Sequence, residues 1–330
     1  MTVRRVLVTG GGGFIGSHLV DHQLGLGRQV TVVDTRLDRL KSKEAVADLH
    51  LVKGDIRDTG LLERIVPGTD VVFHLASAHL EVNLDDSSFQ ETNVTATRNL
   101  AHIAGREGVQ RFVHCSSVGV YGPLLQVPAD EHTPCRPDIA YEVTKLEGER
   151  AVLTVAADEN LPTVVLRPAW VYGPGCPRTE KLFRALRTKR FLMVGKGRNL
   201  RHPVYIDDML QAFELAATRQ GIDGQIFIIA SDEYVTLEKL VSAILQVEHS
   251  HYRPPRVPVA VMWPVCYGVE VMAKLLRREP PFSRRSLKFF TEDSAFSIAR
   301  ARSQLGYAPG VDLMTGLEET RRAMLASPPA

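Results

Sequence analysis

A short apolar strand followed by a glycine-rich turn, near the start of the chain, most limits how it can fold. Residues 6–8 are apolar or β-branched and suit a central parallel strand, and glycines recur behind them at Gly10, Gly13 and Gly16. This spacing allows a tight bend, close approach of the backbone to a pyrophosphate, and close packing of the next helix on the strand. The N–H groups that open the helix favour anions. We therefore predict a dinucleotide-binding turn that comprises Gly10, Gly13, Phe14, Ile15 and Gly16.

An acidic residue ends the second predicted strand. Asp34 follows the β-branched residues 30–33, at roughly the 20-residue offset where a carboxylate can bind the adenosine ribose hydroxyls. A 2′-phosphate would lie against the same carboxylate and be repelled. The sequence therefore predicts NAD as cofactor in preference to NADP, although Arg36 and Arg39 lie close enough in sequence to permit some NADP use.

The composition is that of an ordinary globular protein. Of 330 residues, 44% are hydrophobic and 24% charged, and the net charge of +2 is spread along the chain, so no nucleic-acid partner is expected. The four cysteines lie far apart and form no CxxC pair, which predicts reduced thiols and a cytoplasmic location, and no signal peptide is recognised. The histidines show no metal-ligand spacing, so no metal is predicted.

Strand and helix signals alternate through the first half of the chain. This pattern predicts an α/β fold with a Rossmann-type doubly wound parallel sheet, whose ligands bind beyond the carboxyl ends of the strands. Past Pro168 the elements become shorter and proline-interrupted. We expect a NAD-binding domain over residues 1–170 and a smaller, irregular substrate-binding domain over 171–330, with parts of 204–230 returning to the main sheet. The predicted elements are strands at 49–52, 70–74, 111–115, 163–166 and 225–229 and helices at 61–66, 89–107 and 140–159.

Three polar residues form a candidate catalytic set. Ser117 follows the predicted strand 111–115, while Tyr141 and Lys145 are one helical turn apart and project from one helix face. A nearby ammonium favours the phenolate and lowers the pKa of a tyrosine. Such a tyrosine can take a proton from an alcohol while hydride leaves the same carbon, and the serine can orient the substrate oxygen.

Together these motifs resemble the extended short-chain dehydrogenase/reductase family, over nearly the whole chain. The glycine turn matches the family's TGxxGxxG pattern, and Ser117, Tyr141 and Lys145 fall on its catalytic triad. The resemblance implies that Lys145 also holds the nicotinamide ribose. It implies further cofactor contacts at Asp55 and Ile56 beside the adenine, at Leu75, Ala76 and Ser77 along the cofactor, at Asn93, and at Pro168 near the nicotinamide.

Several of these positions have a structural alternative. Asp55 could instead cap the turn that follows it, and Asn93 could serve as a helix contact or as part of a catalytic water relay. His74, in an apolar strand, is expected to be a hydrogen-bonded core residue rather than a ligand. The family resemblance also implies a homodimer, formed through the helices near Phe89 and Ala140.

The sequence favours one branch of this family without excluding another. Nucleotide-sugar epimerases and dehydratases usually carry an asparagine where this chain has Trp170, and the dehydratases carry an acidic pair where Val118 and Gly119 follow Ser117. An aromatic ring at that position favours a flat, apolar substrate, and the missing acids argue against dehydration.

Residues 195–200 and the apolar segment 257–276, with the basic stretch 277–281 behind it, look like the 3β-hydroxysteroid dehydrogenase branch, which includes decarboxylating sterol-4-carboxylate 3-dehydrogenases. Arg201, in contrast, resembles the arginine that sugar enzymes place on a diphosphate, and is either a substrate anchor or a solvated charge. Segment 257–276 is too short and proline-interrupted to span a membrane. It predicts a buried helix, with a patch that dips into a membrane surface as the alternative.

The sequence thus predicts an NAD-dependent oxidoreductase for a secondary alcohol or ketone, with a 3β-hydroxysteroid or sterol-like substrate and decarboxylation where a 4-carboxylate is present. The alternative is a nucleotide-sugar 4-epimerase. A catalytically silent NAD sensor is a remote third reading, against which the intact catalytic set argues. The predicted substrate-binding residues are Ser117, Tyr141, Trp170 and Arg201.

Overall fold

The structure, a computed structural model, describes residues 3–78, 86–275 and 284–326. In chain order its strands are β1 (Arg5–Thr9), β2 (Gln29–Asp34), β3 (Leu49–Lys53), β4 (Val71–His74), β5 (Arg111–Cys115), β6 (Thr163–Pro168), β7 (Trp170–Tyr172), β8 (Met193–Val194), β9 (Leu200–Arg201), β10 (Pro203–Tyr205), β11 (Ile226–Ile229), β12 (Val235–Thr236) and β13 (Arg256–Val257). Its helices are α1 (Phe14–Gly25), α2 (Thr59–Ile65), α3 (Asp86–Gln90), α4 (Thr97–Arg106), α5 (Ala140–Glu159), α6 (Pro177–Arg187), α7 (Ile206–Thr218), α8 (Leu237–Val247), α9 (Val259–Leu275), α10 (Arg284–Thr291) and α11 (Leu313–Ala326).

Seven of the strands form a parallel sheet in the order β11-β6-β5-β4-β1-β2-β3. The chain leaves β1 toward β2 and β3 on one side, and later toward β4 and β5 on the other. This reversal opens a crevice at the carboxyl ends of β1 and β4, where doubly wound sheets bind their ligands. The predicted fold class is confirmed. Within segment 204–230, β11 joins the edge of this sheet beside β6, whereas residues 203–205 pair with β7 in a separate two-stranded sheet.

Apolar clusters cover both faces of the sheet, as expected of buried parallel strands. One cluster packs Leu7 and Val72 against Leu100 of α4 and Val152 of α5. The cluster on the other face includes Val8 and continues into the second half of the chain. Phe73 of β4 meets Phe213 of α7 edge to face, with ring centroids 6.0 Å apart. The core therefore crosses residue 170, and the proposed domain boundary there stays a prediction.

The predicted helix over residues 89–107 is longer and less regular than expected. It begins as α3, widens into a π-helical segment at Glu91–Ala96, and continues as α4. Asn93 lies in the π-helical segment, which turns that side chain toward α5. The helix predicted over 140–159 has the bounds of α5.

Helix α9 differs from the preferred prediction of a buried helix. Cys266 and Ala273 are buried, but Trp263, Tyr267 and other apolar residues of the helix are about half exposed. The helix carries apolar residues on all of its sides, so its sequence has no polar face that would show which side meets solvent. Residues 276–283, which include the basic stretch, and the C-terminal tail 327–330 lie outside the described residues. Within the described part of the chain, no helix is long and apolar enough to cross a bilayer.

Candidate active site

The glycine turn is built so that only glycine fits at two of its positions. Gly10 has a φ of 73°, and a Cβ atom there would lie 2.6 Å from the backbone nitrogen of Ala76. A Cβ atom on Gly16 would overlap the carbonyl oxygen of Gly10. Gly13 is the N-cap of α1 and provides no side-chain cap, and Phe14 and Ile15 open the helix half-buried. The turn therefore leaves the helix N-terminus open to a phosphate, as a pyrophosphate-binding turn requires.

Asp34 ends β2 and its carboxylate faces the glycine turn. One oxygen accepts a hydrogen bond from Gly12 N at 2.9 Å, and the other accepts from Arg36 N at 3.0 Å. Thr35 Oγ1 also donates to Asp34, at 3.5 Å, and because an ionised carboxylate has about four acceptor sites, one remains for a ribose hydroxyl. Arg39, which the sequence offered as a contact that permits NADP use, instead donates a hydrogen bond from Nη2 to the carbonyl of Gly175 at 3.0 Å.

In the segment after β3, Asp55 is hydrogen-bonded at the surface and Ile56 is buried. Asp55 accepts hydrogen bonds from Arg57, at 2.9 Å from the backbone N and 2.7 Å from Nη2. These bonds lower the pKa of the Asp55 carboxyl group below its usual value. Asp55 therefore caps the turn that follows it, the structural alternative for this residue, whereas the N-cap of α2 is Asp58, which accepts from Leu61 N at 3.0 Å. Ile56 is 5% exposed and belongs to the apolar cluster beside α4.

The segment after β4 is held against the end of β1. Leu75 N donates to the carbonyl of Thr9 at 3.0 Å, and Ala76 N donates to Thr9 Oγ1 at 3.2 Å. Leu75 and Ala76 thus lie beside Gly10 at the crevice, and the predicted cofactor contact of Ser77 stays a prediction. At the far side of the crevice, Pro168 ends β6 beside Ile229.

Asn93 makes the structural contact that the sequence offered as one alternative. Its Oδ1 accepts from Ala78 N at 2.7 Å and its Nδ2 donates to Thr144 Oγ1 at 3.0 Å. Thr144 lies on α5 between Tyr141 and Lys145, so Asn93 joins the segment after β4 to the helix of the candidate catalytic set. A role in a water relay stays a prediction.

The candidate catalytic residues lie at the carboxyl end of β5 and in the first turns of α5. Ser117 Oγ accepts from Gly119 N at 3.0 Å and caps a short 3-10 helix, Val118–Tyr121. Tyr141 is half-buried, and Lys145 is 3% exposed with its Nζ donating to the carbonyl of Cys115 at 2.7 Å. Burial lowers the pKa of Lys145. The ammonium is therefore held at the strand end from which Ser117 follows.

Behind this set lies a buried ion pair that the sequence analysis missed. Arg167 of β6 meets Glu149 of α5 through two hydrogen bonds, Nη2–Oε2 at 2.6 Å and Nε–Oε1 at 3.0 Å, and the side chains are 4% and 2% exposed. Ser116 donates its hydroxyl to Glu149, and Arg167 Nη1 donates to Tyr121 Oη at 2.8 Å. This network ties β5, β6 and α5 together directly beneath Ser117. One signal was present: Glu149 follows Lys145 by four residues, on the same face of α5.

The predicted substrate residues Trp170 and Arg201 lie beyond β6, on β7 and β9. Trp170 meets the ring of Phe289 edge to face, at 6.4 Å between centroids, and lies 6.2 Å from Tyr172. The guanidinium of Arg201 lies 4.7 Å above the ring of Phe289, and its Nη2 donates to the carbonyls of Phe289 and, at 3.0 Å, Lys288. Burial lowers the pKa of Arg201 to about 10. The alternative of a solvated charge is therefore wrong, and Phe289 is a neighbour that the sequence gave no means to find.

His74 is a hydrogen-bonded core residue, as the sequence predicts. His74 is buried, with Nδ1 2.7 Å from Thr9 Oγ1 and Nε2 2.8 Å from Thr97 Oγ1, and burial lowers its pKa to about 3. None of the four cysteines forms a disulfide bond with another. Within the described ranges no cluster of His, Cys, Asp or Glu could hold a metal ion.

A doubly wound parallel sheet with a glycine turn after β1, and with Ser117, Tyr141 and Lys145 near one crevice, is typical of an oxidoreductase that uses a nicotinamide dinucleotide. The comparison with known families makes this specific. The model of the NAD dependent epimerase/dehydratase family matches residues 6–230, and the chain belongs to this family. It is an extended short-chain dehydrogenase/reductase, and its cofactor is NAD.

Relatives within the family differ in their substrates. The chain is 31% identical to a decarboxylating sterol-4-alpha-carboxylate 3-dehydrogenase of Candida albicans, covering 97% of each chain. It is 30% identical to a 2-alkyl-3-oxoalkanoate reductase of Stenotrophomonas maltophilia, covering 98% of this chain and all of the relative. A UDP-glucose 4-epimerase of Thermotoga maritima, solved with UDP-glucose, superimposes with a TM-score of 0.80 at 25% identity, over 98% and 99% of the two chains. Other relatives include dTDP-glucose 4,6-dehydratases and a further UDP-glucose 4-epimerase.

Proposed function

We propose that the protein interconverts a secondary alcohol and a ketone on a large, flat, apolar skeleton, of the 3β-hydroxysteroid or sterol type. The observation that carries this proposal is the state of Arg201. Its guanidinium lies on the ring of Phe289 and is hydrogen-bonded to two main-chain carbonyls of α10. To pair with a nucleotide diphosphate, the guanidinium would have to leave the ring of Phe289 and give up its hydrogen bonds to these carbonyls.

Apolar surface surrounds the same place. Trp170 stands where sugar-binding relatives usually carry an amide, and it packs with Phe289 and Tyr172. Burial of a fused ring system against such rings is favourable by about 25 cal/mol per Å² of apolar surface. A diphosphate gains nothing from these contacts and needs several cations or N–H donors instead.

The residues around the crevice then have defined roles. NAD, when bound, supplies the hydride acceptor, and the glycine turn, Asp34 and residues 75–77 hold it. Tyr141 takes the hydroxyl proton as general base, and Ser117 donates a hydrogen bond that orients the same oxygen. Lys145 holds positive charge beneath the phenol, which favours the phenolate, and reaches the nicotinamide ribose. In the reverse direction Tyr141 returns the proton to the ketone oxygen.

The compounds after which two relatives are named share a chemical feature. A 3-oxoalkanoate and a sterol-4-carboxylate oxidised at carbon 3 both place a ketone β to a carboxylate. In such a β-keto acid the bond to the carboxylate can break, CO₂ leaves, and the electron pair passes into the ketone, which becomes an enolate and is then protonated. We extend the proposal to 4-carboxysterols, where oxidation at carbon 3 makes this loss possible.

The second candidate is a UDP-hexose 4-epimerase, which the likeness to the Thermotoga maritima enzyme favours. In that reaction the same oxidation gives a keto-sugar, which turns over and is reduced on its other face. Such a cycle produces no net NADH, so the two candidates differ in a measurable way.

The deciding assay supplies NAD with 3β-hydroxysteroids, 4-carboxysterols and UDP-sugars in parallel. We expect NADH absorbance with the first two and none with UDP-sugars, and release of CO₂ from the carboxylated sterol. The sugar reactions are also separated chromatographically, because epimerisation is silent in absorbance. Epimerisation of a UDP-hexose by a preparation that oxidises no sterol would reverse the assignment.

We further propose a homodimer in the cytoplasm, assembled through the helices near Phe89 and Ala140, that is, α3 with its continuation α4, and α5, against which α4 packs. Light scattering on the purified chain tests the dimer. A monomeric mass at the concentrations used for the activity assay would refute it.

A further inference from the structure

The solvent-facing side of α9 is apolar over several turns. Between residues 257 and 269 the sequence has no Asp, Glu, Lys or Arg. At 100° per residue the exposed positions cover an arc of about 200°, with small residues in its middle and large ones on both flanks. The large side chains on it are each about half exposed: Val261 (52%), Trp263 (51%), Val265 (50%), Tyr267 (49%) and Met272 (56%). We call this surface the α9 face.

The opposite side of the helix fixes the α9 face in place. Cys266 is fully buried in a cluster with Val194 of β8 and Leu287 of α10. Trp263 and Tyr267, one turn apart, stack with centroids 6.1 Å apart and planes 9° from parallel. The aromatic rings are thus presented to solvent by a helix that is packed on the protein, not by a loop.

Basic residues flank β8 and β13, the pair of strands from which the chain enters α9, and we call them the basic border. β13 leads into α9 and pairs with β8. Lys189 and Arg190 precede β8, Lys196 follows it, and Arg253 precedes β13, and all four side chains are exposed. Glu238, which lies beside β13, is already paired with Arg256.

We infer that the α9 face docks on an anionic lipid bilayer, without crossing it. Amphipathic Trp and Tyr rings favour the boundary between headgroups and acyl chains, the aliphatic side chains enter the same layer, and the basic border meets anionic headgroups. A second copy of the chain fits less well. In a two-fold contact this face would meet itself and bring two basic borders together. The inference stands independently of the proposed substrate.

The test is flotation of the full chain with vesicles of phosphatidylcholine alone and of phosphatidylcholine with phosphatidylglycerol. We expect binding to the anionic vesicles, weakened by salt because the charges are exposed. Arg253→Gln should weaken binding roughly fivefold, the effect of one basic residue near an anionic surface. Val265→Asp should abolish it. Leu125→Asp is the matched control, since Leu125 is 83% exposed on the chain outside this helix and should leave binding unchanged.

The chain contains only two tryptophans, Trp170 and Trp263, so fluorescence reports insertion directly. Anionic vesicles should shift the emission to the blue and brominated lipids should quench it, and both effects should vanish in Trp263→Phe. Circular dichroism and NAD affinity confirm that each variant is folded.

Three results would overturn the inference. The first is that the wild type fails to float with anionic vesicles, and the second is that Leu125→Asp weakens binding as much as Val265→Asp. The third is that light scattering shows a dimer that Val265→Asp dissociates, while vesicles remain unbound. Failure of sterol oxidation leaves each of these readouts intact, and so separates this inference from the proposed function.

Discussion

Loss of one partner of the Glu149–Arg167 pair should destabilise the protein strongly, whereas loss of both should not. In Arg167→Met the Glu149 carboxylate loses its cation while its side chain stays 2% exposed. The side chains are 4% and 2% exposed, so solvent does not screen the pair. Breaking a buried pair from one side costs about 3–5 kcal/mol. Tyr121 also loses its hydrogen-bond donor, which adds about 1 kcal/mol.

The double variant Arg167→Met with Glu149→Leu removes both charges and fills the space with apolar atoms. Such a replacement is often neutral or stabilising, so most of the lost free energy should return. Urea unfolding of the wild type, both single variants and the double variant measures the coupling between the sites. Activity provides a second readout: the double variant should unfold like the wild type but turn over more slowly, because Ser116 no longer ties β5 to α5.

The reasoning fails if Arg167→Met costs less than about 1 kcal/mol, the range of exposed pairs. It also fails if the double variant is as unstable as the sum of the single variants. A double variant with wild-type turnover would show that the pair supports the fold without positioning the catalytic residues.

Other predictions concern the cofactor, the general base and the pH dependence. Tyr141→Phe keeps the ring but loses the acid–base hydroxyl, so turnover should fall about 10²–10⁴-fold with NAD affinity unchanged, measured by steady-state kinetics and NAD titration; normal turnover contradicts the role. The wild type should bind NAD more tightly than NADP, and Asp34→Ala should narrow the difference in a titration of both; tighter NADP binding to the wild type contradicts the assignment. Burial lowers the pKa of His74 from 6.5 to about 3, so between these two pH values the unfolded chain binds more protons than the folded protein. The stability that neutral His74 contributes is therefore complete above pH 6.5 and is lost as the pH falls toward 3. Unfolding free energies measured across this window should vary less steeply with pH in His74→Gln, and an equal slope contradicts the prediction.

The cofactor-binding half could be predicted from the sequence because its signals are local. The glycine turn, the strand ends and the helix of Tyr141 and Lys145 each follow from residues close together in the chain, and helix 140–159 was predicted with its observed bounds. In this half, the glycines, the strand ends and the helix pattern all predict the same doubly wound sheet.

The substrate side could not be predicted in the same way. Arg201 meets α10, which is 87 residues further along the chain, and no local pattern indicates that a guanidinium will lie on Phe289. Glu149 and Arg167 sit on neighbouring elements, but their pairing depends on how α5 packs against β6. Helix α9 has apolar residues on all sides, so burial of one face was decided by its neighbours alone.

Transfer of hydrogen from substrate to cofactor tests the central claim most directly. A 3β-hydroxysteroid deuterated at the carbinol carbon is incubated with NAD and the enzyme, and the reduced cofactor is analysed by mass spectrometry. The account predicts one deuterium in NADH for each molecule of ketone formed, with transfer about 10²–10⁴-fold slower in Tyr141→Phe. Recovery of the deuterated steroid unchanged and with no deuterated NADH, together with a UDP-hexose deuterated at carbon 4 that epimerises and keeps its label, would contradict it.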